Sequence, residues 1–376
     1  MSVWPDRIRR ARESIEAAGR WRAIRALEGT GPEFVLSDGR RVVSFAANDY
    51  LGLSHHRVVR AAAAEAAERI GTGSGASRLV VGDRVVHRML EETLADWKHM
   101  ESALLFPTGF AANLGVLSAF GGKGVVILSD ELNHASIVDG CRLSRADITI
   151  YPHRDSDYVA KALAGTRNRP AIVISDAVFS MDGDVAPLDA LAAAAVEHEA
   201  LLVIDEAHSV LGPPWSPPPG LELLRVGTLS KTLGSLGGFV AGSLTYIDHL
   251  INTARSFIFS TATTPPDAAA ALAALHVLRS AEGAALVQRL AALVDRVAPG
   301  HSSPILPVVV GDERRALQLS SRLLDEYGLL VPAIRPPTVA PGTSRLRIAL
   351  SAEHTDDQVE ILVAALAALD LAPNAG

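Results

Sequence analysis

A lysine that is to act as a nucleophile must be kept from water, and Lys231 sits where the chain would do that. Ser230 and Thr232 flank it, glycines stand at 227, 234, 237 and 238, and the nearest charged residues are Arg225 before it and Asp248 after it. Desolvation lowers the pKa of an ammonium, so such an amine can form an imine with a carbonyl, including the aldehyde of pyridoxal phosphate. Other residues supply the remaining chemistry. Asp205 closes the apolar run Leu201 to Ile204 and could keep a pyridine nitrogen protonated. His134 follows Val125 to Leu128 and could stack on a ring, while Ser180 and His208 could bond a ring oxygen. A phosphate needs a helix N-terminus with small residues and hydroxyls, and Thr108, Gly109, Phe110 and Thr228 offer one. Singly, each has a plainer role: Asp205 and His134 as helix caps, Ser180 in a turn. Together with Lys231 they read as one site.

The elements that must position these residues follow from the apolar pattern. Between about residues 83 and 243, short continuous apolar runs alternate with helical stretches. Uninterrupted apolar strands are covered on both faces, so the order predicts a mainly parallel, doubly wound α/β sheet. In open sheets of this kind ligands bind beyond the carboxyl ends of the strands, where all the residues named above fall. Before the sheet, residues 1 to about 30 read as a charged amphipathic helix carrying Ile8, Ile15, Ile24 and Leu27, followed by a hairpin around Ser37-Asp38-Gly39-Arg40. Gly71-Thr72-Gly73-Ser74-Gly75-Ala76-Ser77-Arg78 reads either as a flexible connection or as a loop that lets backbone approach a ligand. After the sheet, one helical stretch from about Pro266 to Leu293 leads to a small α+β region that includes a strand from Leu329 to Ile334. The predicted division is 1–45 for the N-terminal helix and hairpin, 46–281 for the large domain and 282–376 for the small one.

Composition narrows the function. The chain has 376 residues, 48% hydrophobic and 20% charged, with a formal charge of −7, which argues against nucleic-acid and membrane-surface partners. The single cysteine, Cys141, allows no disulfide framework, and no secretory signal is evident, so a cytoplasmic protein is expected. No H-x-x-x-H spacing supports a zinc site, so no metal is expected. Asp205-Glu206-Ala207-His208 also spells the DEAH box of nucleic-acid helicases, but the phosphate-binding G-x-x-x-x-G-K-[ST] that such enzymes need is missing.

Five stretches carry a resemblance that spans nearly the whole chain. They are Asn48 to Leu53, Asn133 to Ser136, Val178 to Asp184, Asp205 to His208 and Thr228 to Lys231. The chain resembles the α-oxoamine synthase family of aspartate aminotransferase-like, fold-type I pyridoxal-phosphate enzymes. Arg335-Pro336-Pro337-Thr338-Val339 and Gly342 to Arg347 are similar to its biotin-pathway branch. The resemblance implies a mainly parallel large domain plus a small α+β C-terminal domain. It implies Lys231 as the Schiff-base lysine, Asp205 at the pyridine nitrogen, His134 on the ring face, and Ser180 and His208 at the phenolic oxygen. Gly109, Phe110 and Thr228 would hold the phosphate, helped by Thr261 from a second subunit of a homodimer. Arg347 and Asn48 would hold the amino-acid carboxylate, and Arg22 is a candidate for the far carboxylate of the acyl chain. The implied reaction is a decarboxylative condensation of L-alanine with a pimeloyl thioester, carried on coenzyme A or an acyl carrier protein. A sibling reaction, such as joining glycine to an acetyl group, is the alternative. One departure stands out: Ser209 to Gly220 is short and proline-rich where the family has a longer glycine-rich loop, which bears on how His208 is placed and how the acyl tunnel closes.

Overall fold

The computed structural model describes residues 2–166, 169–211 and 214–374. The chain opens with helix α1 (Trp4–Ala17), then strands β1 (Leu27–Thr30), β2 (Glu33–Leu36) and β3 (Arg41–Ser44). Helices α2 (Arg57–Arg69) and α3 (Val85–Lys98) lead into β4 (Ser102–Phe106), α4 (Gly109–Phe120), β5 (Val126–Asp130), α5 (Ala135–Ser144) and β6 (Asp147–Tyr151). There follow α6 (Ser156–Ala164), β7 (Ala171–Asp176), α7 (Leu188–Glu197), β8 (Leu201–Asp205), β9 (Leu223–Thr228) and β10 (Gly238–Gly242). Helices α8 (Leu244–Thr253), α9 (Arg255–Ile258), α10 (Pro265–Leu278) and α11 (Ala281–Val297) carry the chain to β11 (Ile305–Gly311). The chain ends with α12 (Glu313–Tyr327), β12 (Leu329–Leu330), β13 (Ala333–Ile334), β14 (Ser344–Ala349) and α13 (Asp356–Ala368).

The central sheet has seven strands in the order β4-β10-β9-β8-β7-β5-β6. The pairings from β9 through β8, β7 and β5 to β6 are parallel, and β10 runs antiparallel between β9 and β4. Every residue of β5 and β7 is buried, which is why these strands read as unbroken apolar runs. Alternate side chains divide between the faces. Ile127, Ile174 and Val203 pack with Val116, Leu117, Ile137 and Leu250 on one side. Leu128, Val173, Leu202 and Ile204 pack with Val159, Leu163, Leu191 and Ala195 on the other. Among the described residues no single helix is long and apolar enough to cross a bilayer.

Four expectations are corrected at the level of elements. The N-terminal helix ends at Ala17, and Leu27–Thr30 is a strand paired with β2. Gly29, at φ 142, lies so close to the facing strand that a Cβ there would sit 2.5 Å from the Glu33 carbonyl oxygen, an approach only glycine allows. The segment from Leu329 to Ile334 is interrupted at Pro332, where proline has no N–H for a ladder. Its first half joins β3 and its second joins β14, so residues 329–330 complete the hairpin sheet of the N-terminal segment. The helical stretch after Pro265 breaks at Arg279-Ser280 into α10 and α11, which meet at 79°, with the Ser280 side chain accepting from the Gly283 N–H to cap the second helix. The glycine-rich connection at 71–78 is fixed in place: Ser74 is buried and donates to the Thr263 carbonyl, and the Ala262 N–H donates to the Ala76 carbonyl.

Candidate active site

The carboxyl ends of β5, β7, β8 and β9 face one space. Asp176 and Asp205 are register partners at the ends of β7 and β8, both buried. Asp176 Oδ2 accepts from the His134 backbone N–H at 2.7 Å, which fixes the start of α5. Burial, and then the neighbouring Asp205 charge, push the Asp176 carboxyl well above its ordinary pKa. Asp205 is held from two sides: Oδ1 accepts from the Ala207 N–H at 2.9 Å and Oδ2 from the Asn113 side-chain amide at 2.7 Å. The His134 side chain is exposed in this chain, its Nδ1 against Ser136 and its ring edge-on to Phe110 at 6.5 Å.

Lys231 follows β9 and lies 2.7 Å through Nζ from His208 Nε2. His208 is buried, and its Nδ1 is 2.5 Å from the Tyr50 hydroxyl. Tyr50 is fully buried, with its own pKa pushed up to about 12 by that burial. Its hydroxyl donates to Asn48 Oδ1 at 3.2 Å, and Arg347 Nη2 donates to the same oxygen at 3.1 Å. Arg347 Nε donates to the Ser180 carbonyl at 2.6 Å. A continuous chain of polar contacts therefore runs from Lys231 through His208, Tyr50 and Asn48 to Arg347 on β14. Burial is the main cause lowering the Lys231 pKa, opposed by the Asp205 and Asp176 charges and assisted by Arg347. Burial likewise holds His208 well below its usual range, reinforced by Lys231 and Arg347. An uncharged imidazole is thus the amine's close partner.

The cradle beneath is built from small residues. Thr108 caps α4 through Oγ1, which accepts from the Ala111 N–H at 3.0 Å. Gly109 begins the helix, where a Cβ would come 3.3 Å from Thr228 Cβ. Thr228 Oγ1 accepts from the Ser230 N–H at 3.2 Å. Free helix N–H groups, glycine and hydroxyls are the donor set that a phosphate monoester needs. With Asp205 at the strand end, His134 open above the space and an amine of lowered pKa, these residues fit pyridoxal phosphate.

Lys231, His208, Asn48, Arg347 and Ser180 are joined by this contact chain, and Asp205 is linked to His134 through Asn113 and Ser136. Ser180 is engaged through its carbonyl. Thr108, Gly109 and Thr228 meet in the cradle, and Phe110 stands half-exposed at its edge. Two expected residues are not brought in by this chain's own contacts. Thr261 is exposed and makes no side-chain hydrogen bond among the described residues, and Arg22 is exposed on the segment after α1 while its neighbour Arg20 pairs with Glu313 at 2.5 Å. Sequence reasoning missed Asn113, Tyr50 and Asp176 as site residues. Asp176 carried the same signal as Asp205, a carboxylate closing an apolar run, and could have been found by it. In the short loop, the Trp215 carbonyl accepts from Arg225 Nη2 at 3.1 Å and Trp215 Nε1 donates to Asp189 at 2.9 Å, so this part is pinned onto β9 and the start of α7. Gly212 and Pro213 of that loop lie outside the described residues.

Residues 40–366 match the model of the family described as aminotransferase class I and II. The 8-amino-7-oxononanoate synthase of Anaeromyxobacter dehalogenans is 48% identical, over 96% of this chain and 95% of that protein. A solved serine palmitoyltransferase variant from S. paucimobilis, with bound PLP-myriocin aldimine, superposes with a TM-score of 0.89 at 28% identity, covering 98% of this chain and 100% of that one. The solved 8-amino-7-oxononanoate synthase of Francisella tularensis gives 0.73 at 27% identity, over 88% of this chain and 98% of that one.

Proposed function

We propose that this chain, which belongs to the class I and II aminotransferase family, joins L-alanine to a pimeloyl thioester with loss of CO2 and release of the free thiol. It is a pyridoxal-phosphate-dependent acyltransferase of the 8-amino-7-oxononanoate synthase group, at a step of biotin biosynthesis. The product of the proposed reaction is 8-amino-7-oxononanoate. One observation carries the reading: a largely desolvated amine lies 2.7 Å from a neutral imidazole, between two strand-end carboxylates and a buried arginine.

The residues divide the work. Asp205 would take the pyridine nitrogen, His134 the ring face, Ser180 and His208 the ring oxygen, and Thr108, Gly109, Phe110 and Thr228 the phosphate, with Thr261 supplied by a second subunit. When bound, pyridoxal phosphate supplies the electron-withdrawing ring that delocalises the charge left by removal of the amino acid's Cα proton. Lys231 anchors the cofactor and, once displaced by the amino acid, moves that proton with a single amine that serves as base and then as acid. His208 and Tyr50 keep that amine aimed. Arg347, oriented by Asn48 and the Ser180 carbonyl, binds the amino-acid carboxylate by a charge-assisted fork. Arg22 is our candidate for the distal carboxylate of the pimeloyl group.

A homodimer is part of the reading. Leu79, Val80, Val81, Val85 and Phe259 are 53%, 72%, 66%, 76% and 69% exposed, more apolar surface than isolated residues account for. We propose that a second copy covers them and contributes Thr261 to the neighbouring site, and sedimentation equilibrium measures whether the dimer forms. We further propose 46–281 as the large unit, 282–376 as the small one with 1–45 alongside it, and a cytoplasmic location. The activity is tested by borohydride reduction with pyridoxal phosphate followed by peptide mapping, then by assaying alanine and glycine against pimeloyl and acetyl thioesters. Label on Lys231 and turnover confined to alanine with pimeloyl donors are expected. A preference for glycine with acetyl donors would move the assignment to a sibling reaction.

A further inference from the structure

Asn113 lies in the middle of α4, 1% exposed, and its side-chain nitrogen makes two contacts: 2.7 Å to Asp205 Oδ2 and 2.9 Å to Ser136 Oγ. An ionised carboxylate only accepts, so the amino end of the Asn113 amide must face it. Both amide N–H groups are then committed, one to Asp205 and one to Ser136 Oγ. Ser136, itself 1% exposed, has accepted a hydrogen bond and keeps its hydroxyl proton to give away. The atom in reach is His134 Nδ1 at 2.8 Å. The Ser136 backbone N–H converges on that same nitrogen at 3.3 Å. Two donors on one ring nitrogen require a lone pair there, which puts the ring proton on Nε2.

We propose that Asn113 and Ser136 are positioning residues that lock His134 in its Nε2–H tautomer and tie that tautomer to the Asp205 side chain. The arrangement has a cost that marks it as specific: Asn113 Oδ1 is buried without a partner, a loss that an apolar residue at this position would not incur. The consequence deepens the proposed function and rests on it. With its proton on Nε2 and two donors on Nδ1, the resting ring keeps no free lone pair to act as a base, and proton transfer at Cα is left to Lys231.

The test needs no cofactor. In ¹⁵N-histidine-labelled protein prepared without pyridoxal phosphate, long-range ¹H–¹⁵N correlation reads the tautomer of each ring, and His134→Gln assigns the signal. The wild type is expected to show an unprotonated Nδ1 and a protonated Nε2. Ser136→Ala is expected to give a mixture of tautomers, Asn113→Ala a smaller shift in the same direction, and Ser136→Thr to restore the wild-type pattern. In the loaded enzyme, Ser136→Ala should lower kcat up to about tenfold, the scale of one hydrogen bond, with KM for the amino acid moving less. An Nδ1–H wild type, or an unchanged pattern in a Ser136→Ala protein that melts like the parent, overturns the proposal. Borohydride labelling of Lys231 is read separately, so a failed relay and a failed cofactor assignment give different results.

Discussion

Two amines lie near the carboxyl end of β8, and the fold gives them opposite company. Lys98 Nζ is 2.7 Å from Glu206 Oε2 and 3.7 Å from the Trp97 ring centroid, and Arg225 Nη1 donates to Glu206 Oε1 at 2.6 Å. Lys231 Nζ is as close to a partner, but that partner is the neutral His208. Burial alone would raise the Glu206 pKa, yet the two cations outweigh it and hold the carboxyl below its ordinary value. For Lys231 burial wins: Asp205 and Asp176 oppose it, but among the described residues neither makes an ion pair with the amine. Enclosure is common to both amines. What separates a structural lysine from a chemical one here is the charge of the atom it touches. Asp205 and Glu206, adjacent in sequence, show the same split: one meets a neutral amide, the other two cations.

The sharpest way to break this comparison is to remove each amine. Lys231→Ala is expected to abolish turnover, by at least about 10⁴-fold, the upper range for a positioned proton-transfer group, and to lose the borohydride label while melting no lower than the parent. Lys98→Met should retain the label and lose stability. If Lys98→Met lost the label and kept its stability, the roles would be reversed. Next in size is Glu206→Gln. It leaves Lys98 and Arg225 enclosed without an anion, and breaking a buried pair from one side costs about 3–5 kcal/mol. A denaturant midpoint unchanged from the wild type would contradict that reading. The acid limb carries the same information. Glu206 has a folded pKa below 4.5, so its contribution is present above that value and disappears as pH falls through the folded pKa. The variant should therefore lose that part of the acid sensitivity.

A third test concerns the far end of the contact chain. Arg347→Lys keeps the charge and removes the fork that binds Asn48 and the Ser180 carbonyl together. KM for the amino acid should rise roughly tenfold to a hundredfold, the worth of a charge-assisted bond, with a smaller change in kcat. A fall in kcat alone would mean that Arg347 acts on the amine through His208 instead of on substrate.

How much of this was legible in the sequence divides along the same line. The strand-end residues were visible because a buried parallel strand reads as an apolar run, and the polar residue that closes it is a local signal. Asp205, His134, Thr108 and Lys231 all carried it. Arg345 and Arg347 carried one that reads two ways. Their spacing of two puts them on one face of β14, a pattern that a solvent-facing strand shares, and in the fold that face lies against the 180–182 turn with both side chains buried. Asn113 was hidden for a different reason: it stands among apolar residues inside a helix, and its meaning depends on Asp205 and Ser136, both far away in sequence. The Lys98–Glu206–Arg225 cluster and the pairing of β12 with β3 are likewise products of long-range packing, which no local period records.

The smallest effect tests the comparison where a histidine takes the structural part. His153 lies between Asp130 at 3.0 Å and Asp184 at 2.7 Å, edge-on to Phe179, and so braces the turn that carries Ser180. Burial works against its charge, but the two carboxylates raise its pKa to about 9, the opposite of what Lys231 and Arg347 do to His208. A folded pKa above the unfolded value of 6.5 means that the native state binds more protons between the two. The stabilisation is then complete below 6.5 and is lost as pH rises through about 9. His153→Gln should be less stable than the wild type at pH 6 and approach it at high pH, removing a downward slope from the alkaline limb of the stability curve. Lys231 works the other way on that limb. Its folded pKa is below 10.5, so the unfolded state binds more protons, and stability without cofactor rises with pH until 10.5 is reached. Denaturant midpoints across the alkaline range for the wild type, His153→Gln and Lys231→Ala separate the two slopes. Should both variants tilt the curve in the same direction, the charge of the contacting atom would no longer explain why one of these groups holds the fold and the other is left to react.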